Sequence, residues 1–351
     1  MKKPAPILPS PFFSGHSAGL SLVELMISIT IGLLLLAGIT TLIAQQSSAR
    51  AEIDKSGRQI ENGRYALTLL QDDIQHAGFY GQYSGAITTL AALPDPCATD
   101  LATIDASLAM PLQGYDAPTT VPAPLSACLL DANHIAGTDI LVVRRLEATD
   151  TLTTIAGAVA GQVYVQTTPD GKVTGSGSDT TVFTLTQKDA TTAAELRKYV
   201  EHIYFLSPCN VYATGATSCT SAADGGSPVP TLKRLEITST AGTTAFTTTP
   251  LVDGIQNMQF DYGIDSALLG PTDTGTPNFP FVTAPGITDW PNVMAVQVNL
   301  LARNVDPSVG YIDTKTYNLG VAGTVGPFSD AYKRHAYTAA VRAVNPSGRR
   351  E

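Results

Sequence analysis

Four cysteines, five histidines and one carboxylate set in an apolar run are the residues of this 351-residue chain whose types and spacing bear most on chemistry. Glu24 is that carboxylate. It follows Leu20-Ser21-Leu22-Val23, and no charged side chain occurs after it until Arg50. A charged group inside such a segment costs roughly 2.5–3.5 kcal/mol even on a lenient insertion scale, so Glu24 requires a partner. Cys97, Cys128, Cys209 and Cys219 form no CxxC and lie near no paired histidines at zinc spacing, which leaves disulfides as their chemistry. Three pairings are possible. The expected one joins Cys97 to Cys128 and Cys209 to Cys219, since each bridge would staple a Gly/Pro/Thr-rich stretch with few apolar anchors. His16, His76, His134, His202 and His335 have no Ser, Cys or carboxylate at a motif spacing; they read as surface or packing residues, and no catalytic group, cofactor or metal is expected. The segment Asp170 to Asp179 has the Gly/Asp flavour of a calcium loop but lacks its alternating carboxylates and terminal glutamate.

Composition narrows the class. With 21 Lys plus Arg against 30 Asp plus Glu the net charge is −9, and only 15% of residues are charged, against about 25% in an average soluble domain. Lys333-Arg334-His335 and Arg349-Arg350 read as a solvated strand end and tail, so no direct nucleic-acid binding is expected. A 44% hydrophobic content excludes a disordered chain.

The element that must position Glu24 is a helix. Leu25 to Ala44 is almost wholly apolar, and twenty helical residues at about 1.5 Å each span the roughly 30 Å hydrocarbon core of a bilayer. Residues 1–19 form a polar, proline-bearing leader with Lys2 and Lys3, ending in Ala18-Gly19. An ordinary secretory signal has a shorter apolar core and no acid at its start. Beyond the apolar run Ile53, Ile60, Leu67 and Ile74 recur at seven-residue steps, each preceded four positions earlier by Ala49, Ser56, Gly63 or Leu70. This seam predicts a face turned toward the protein's own core, the alternative being a seam shared with neighbouring subunits. Gly78 is the expected C-terminal cap, with His76 in the last turn, giving one helix from Ser21 to Ala77 of about 85 Å.

After Gly78 the pattern changes to strands. Residues 151–250 hold 23 threonines, a composition that favours sheet. Strands are expected at 140–146, 162–167, 181–186, 199–206, 232–238, 258–262, 293–302 and 336–344, with a hairpin turn at Asp170-Gly171 and long excursions over 84–134 and 265–290. The fold class is α+β: a long N-terminal transmembrane and amphipathic helix packed on antiparallel sheet, in two β-rich lobes with a boundary near 150.

Gly19-Leu20-Ser21-Leu22-Val23-Glu24-Leu25-Met26 resembles the processing site of type IV pilins and pseudopilins. The resemblance implies that a prepilin peptidase cuts after Gly19, that Leu20 becomes the N-methylated first residue, and that Glu24 is the glutamate at mature position five, used in assembly. Leu20 stands where the family often has Phe. Residues 58–81 (RQIENGRYALTLLQDDIQHAGFYG), 254–265, 296–304 and 333–345 look like PilW-type minor pilins. The implied division is a cleaved leader (1–19), a transmembrane half-helix (20–44), an amphipathic periplasmic half-helix (45–78), a first part of the globular domain with long loops (79–150) and a β-rich remainder (151–351). The implied function is structural: a non-enzymatic subunit anchored in the inner membrane, with its globular domain in the periplasm, that packs with other minor pilins and the assembly machinery. There it primes a type IV pilus and forms its tip, where a tip adhesin is a further partner, in support of twitching motility, adhesion or DNA uptake. A J-like pseudopilin of type II secretion is the nearest alternative, and a membrane-anchored periplasmic binding protein or enzyme a more distant one.

Overall fold

The computed structural model describes residue 19 and residues 21–83, 90–265, 275–277 and 280–349. The chain forms two compact units, Met1–Asp54 and Lys55–Glu351, and helix α1, Leu22–His76, contributes to both. No proline falls within its 55 residues, and the helix ends where Gly78 takes a left-handed φ of +71° and donates its N–H to Arg144 O at 2.9 Å.

In the second unit α1 is followed by α2 (Leu101–Ser107), then strands β1 (Leu112–Tyr115), β2 (Ile140–Leu152), β3 (Val163–Thr168), β4 (Gly171–Ser176), β5 (Leu196–Ser207), β6 (Thr231–Thr240) and β7 (Thr243–Asp253). These seven strands make one antiparallel sheet with β5 at its centre: β2 lies along one edge of β5, while β3 and β6 divide the other edge between them. A second sheet has the order β12-β9-β8, from β8 (Ile255–Ile264), β9 (Val293–Arg303) and β12 (Arg334–Arg342). Two short strands, β10 (Tyr317–Asn318) and β11 (Thr324–Val325), pair in the loop before β12, and α3 (Val344–Gly348) follows it.

The main core lies where α1 meets both sheets. Ala66, Leu70 and Ile74 of the helix, with Ala77 just after it, pack with Leu141 and Val143 of β2, Tyr204 and Leu206 of β5, Phe260 of β8 and Val296, Val298 and Leu300 of β9. The alternate residues Ile140, Val142, Ile203 and Phe205 feed a separate core on the far face of the large sheet, closed by Val121, Leu125 and Leu129. Burial on both faces explains why Ile140–Val143 of β2 and Ile203–Leu206 of β5 are continuous apolar runs rather than alternating ones.

Several expectations shift. Residues 181–186 form no strand; the partner of β3 is β4, with Thr168 opposite Gly171, so the tight turn is Pro169-Asp170 and the segment that suggested a calcium loop is largely a hairpin arm. Residue 150 lies inside β2, and the chain passes from the large sheet to the small one at Gly254. β7 was absent from the expected strands because its residues, TTAFTTTPLVD, bury little: it is paired only to β6 and carries no alternating apolar face.

Candidate assembly site

Ser21 and Glu24 form a reciprocal cap at the start of α1. Glu24 N–H donates to Ser21 Oγ at 3.2 Å, and Ser21 N–H donates to Glu24 Oε2 at 3.1 Å. This is the Ser-x-x-Glu capping box, which satisfies two of the orphan donors of the first turn and sets a negative charge at the positive end of the helix dipole. The carboxylate therefore points back along the chain toward Gly19, which is exposed and outside the helix. Leu20 and the leader residues 1–18, with Lys2, Lys3 and His16, lie outside the described residues.

From Leu22 to Ala51 every residue of α1 is exposed, and this part of the helix is long and apolar enough to cross a membrane. Leu33, Leu34, Leu35 and Leu36 are each more than half exposed. Covering a side chain of this size is worth about 1.5–3 kcal/mol, and the stretch is compatible with membrane anchoring.

The later part of α1 is docked through Gln59, Gly63, Ala66, Leu70, Asp73 and Ile74. Small residues in this series admit close neighbours: a Cβ on Gly63 would stand 2.2 Å from the ring carbon Cε2 of Tyr337 on β12. Gln59 Nε2 donates to the carbonyls of Ala302 (2.9 Å) and Lys333 (3.0 Å). Asp73 is the polar centre of the face: its Oδ1 accepts from Arg145 Nε at 2.8 Å, and its Oδ2 lies 2.7 Å from His202 Nδ1 and accepts from Tyr204 OH at 2.9 Å. Burial pushes the Asp73 carboxyl up, but His202 and Arg145 outweigh burial and hold it well below the usual carboxylate range. The expected seam is thus half correct. Gly63, Leu70 and Ile74 face the body, whereas Ile53 and Ile60 are 70% and 41% exposed. Asp73 and Gln59 lie outside that seam yet face inward; the spacing of seven residues between Ala66 and Asp73 and of fourteen between Gln59 and Asp73 is the available signal.

Cys97 is bonded to Cys128 and Cys209 to Cys219, the pairing between sequence neighbours. The first bridge sits against the loop residues that close the far face of the large sheet. The histidines are dispersed: His76 faces Asp72 at the helix end, His134 is buried against Thr138, His202 serves Asp73, and His335 stacks edge-on against Tyr337. Among the described residues no three His, Cys, Asp or Glu side chains converge where a metal ion could be held. Of the basic cluster, Arg334 is buried and bound by two carboxylates, with Nη1 2.9 Å from Asp313 Oδ2 and 2.6 Å from Asp330 Oδ1.

Among the described residues the chain thus has one long helix whose apolar first half is compatible with membrane anchoring, and a body of antiparallel sheets against which the later part of that helix packs. Residues 218–345, from the loop before β6 through the start of α3, match the family model of type IV pilus-assembly protein W, PilW. No curated protein and no solved structure matches the chain.

Proposed function

We propose that the chain is a minor pilin of a type IV pilus. The observation that carries this reading is a single helix whose exposed apolar half starts with a capped carboxylate, followed by a body that matches the pilus-assembly family over residues 218–345. In this reading cleavage after Gly19 frees the amine of Leu20, one residue before Ser21. The Glu24 carboxylate, already accepting from Ser21 N–H, stands four residues after that amine in the sequence. Pairing the two removes two uncompensated charges from a hydrocarbon environment as subunits pack, and the exposed leucines of α1 pass from lipid to neighbouring helices without meeting water. The leader takes two lysines with it, so the subunit that packs is more acidic than the full chain. The body supplies the part of the pilus tip that this subunit contributes, anchored in the inner membrane before assembly.

Mass spectrometry of the mature N-terminus tests processing: a chain starting at N-methylated Leu20 is expected, and an intact leader would sink the reading. Electron microscopy of cells carrying Glu24→Ala tests assembly, with sharply reduced piliation expected at an unchanged level of membrane-inserted protein. Pili in normal number would remove the role given to Glu24, and co-purification with secretion rather than pilus components would favour the pseudopilin alternative.

A further inference from the structure

The chain is acidic overall, yet seven of its 21 lysines and arginines line two adjoining cavities of about 510 and 200 Å³ that meet at Gln59. The larger cavity runs between α1 and the start of β12. Arg64, Lys315, Lys333, Arg334 and His335 supply half of its lining residues, and no carboxylate is among them. Within that lining Arg334 is already bound by Asp313 and Asp330, and Asp313 also accepts from Tyr317 OH at 3.0 Å, so the exposed Arg64 and Lys315 are the relevant cations. Arg64 and Lys315 are exposed and form no ion pair among the described residues. In the smaller cavity Arg303 lies flat over the Tyr332 ring at 4.0 Å with its Nε buried and unbonded. Burial and the nearby Arg334 push the Arg303 guanidinium down from its ordinary value against the opposing effect of Tyr332. Asp253 and Asp306 are the only carboxylates in that lining.

Exposed cations that share one groove, as Arg64 and Lys315 do, favour the arrival of a negatively charged partner. The groove also opens onto the uncovered side of the docked helix, where Ile60 and Arg64 belong to both the groove and the exposed face that carries Tyr65. We infer that this basic groove is a docking surface for the carboxylate-bearing face of another pilus subunit, with Arg64 and Lys315 as the contacts that engage its acidic side chains. The inference rests on the pilus reading above and names the chemistry of the partner. An incoming carboxylate would meet cations already held in place by tyrosine rings and backbone carbonyls: Lys333 Nζ lies 5.8 Å from the Tyr311 ring, and Lys55 Nζ donates to Pro307 O at 2.9 Å. Preorganised charge of this kind sets orientation and encounter rate more than raw affinity.

The test uses the full chain in detergent solution and fluorescent poly-L-glutamate of about 20 residues as the probe, read by anisotropy across a salt series. Saturable binding is expected that weakens as salt rises, and that falls at least about tenfold in the Arg64→Glu/Lys315→Glu double variant. Both residues are exposed, so the variant keeps its fold, and an unchanged far-UV spectrum checks this. Absent binding, or binding that the double variant leaves intact, overturns the inference. Tighter binding of duplex DNA or of phosphatidylglycerol vesicles at equal charge concentration overturns it as well, by assigning the groove to another ligand. In cells the double variant should lower piliation at normal membrane levels. If deleting the gene leaves pili intact, the pilus reading fails whatever poly-glutamate does; if deletion abolishes pili and the double variant restores them fully, the docking inference fails and the pilus reading stands.

Discussion

Replacing Asp73 with alanine should cost the globular body about 3–5 kcal/mol, the range found when one member of a buried ion pair is removed and the other remains. The structure shows why the upper part of the range applies. The Asp73 side chain is 6% exposed and Arg145 and His202 are 17% and 9% exposed, so neither partner can recover its lost contacts from water. Tyr204 OH, on a side chain 1% exposed, would be left without its acceptor at 2.9 Å. The body holds the only tryptophan of the chain, Trp290, buried in the main core and 4.8 Å edge-on from Tyr262. Urea unfolding of the full chain in detergent, followed by Trp290 fluorescence, therefore reports the core that Asp73 supports. A fall in Tm on the order of 6–15 °C accompanies a loss of this size. The pH dependence gives a second check. Because the folded-state pKa of Asp73 is held below the ordinary carboxylate value, its contribution is complete above the unfolded value and is lost as pH falls through the folded one. The gap between wild type and Asp73→Ala should narrow below about pH 4. A loss under about 1 kcal/mol at pH 7, or a gap that does not narrow in acid, would refute the assignment of Asp73 as the charged anchor of α1.

Three further outcomes follow from the same packing. Gly63→Ala drives a methyl group into the Tyr337 ring and should destabilise by about 1–3 kcal/mol, with recovery in Gly63→Ala/Tyr337→Leu; an unaltered Tm for the single variant would show that the ring moves freely. Opening the Cys97–Cys128 bridge, which spans 31 residues, should cost about 4 kcal/mol and opening Cys209–Cys219, which spans 10, about 3 kcal/mol; paired Cys→Ser variants measured by denaturant unfolding give the order, and equal or reversed losses would count against the loop argument. Arg334→Met leaves Asp313 and Asp330 without their shared cation and should expose residues 311–332 to limited proteolysis before the rest of the body is cut; a wild-type digestion pattern would contradict this.

Much of the fold is legible locally. The α1 boundaries, expected at Ser21 and Ala77 and found at Leu22 and His76, follow from an apolar run, a glycine stop and the lack of proline. The strands at 140, 163, 199, 232, 258 and 293 follow from β-branched and aromatic clusters between turn residues. The 181–186 segment failed because a threonine-rich stretch has strand propensity with or without a partner, and here Gly171 to Ser176 took the place beside β3. β7 failed for the converse reason: pairing to β6 holds it although its own side chains bury little.

What the sequence determines by itself is the character of the two ends of α1 and the location of its charge: an apolar length that matches a bilayer, a single carboxylate four residues from Leu20, and a glycine stop after His76. These are short-range properties, set by residues within a few turns or one loop of each other. Only the tertiary structure decides that Asp73 and Gln59 face inward, that Tyr337 rests on Gly63, and that basic residues from α1, β9, the 311–315 loop and β12 share one groove. Each of these joins residues more than a hundred positions apart, and a strand's register, which sets which side chains meet, is fixed by the packing of its whole buried face.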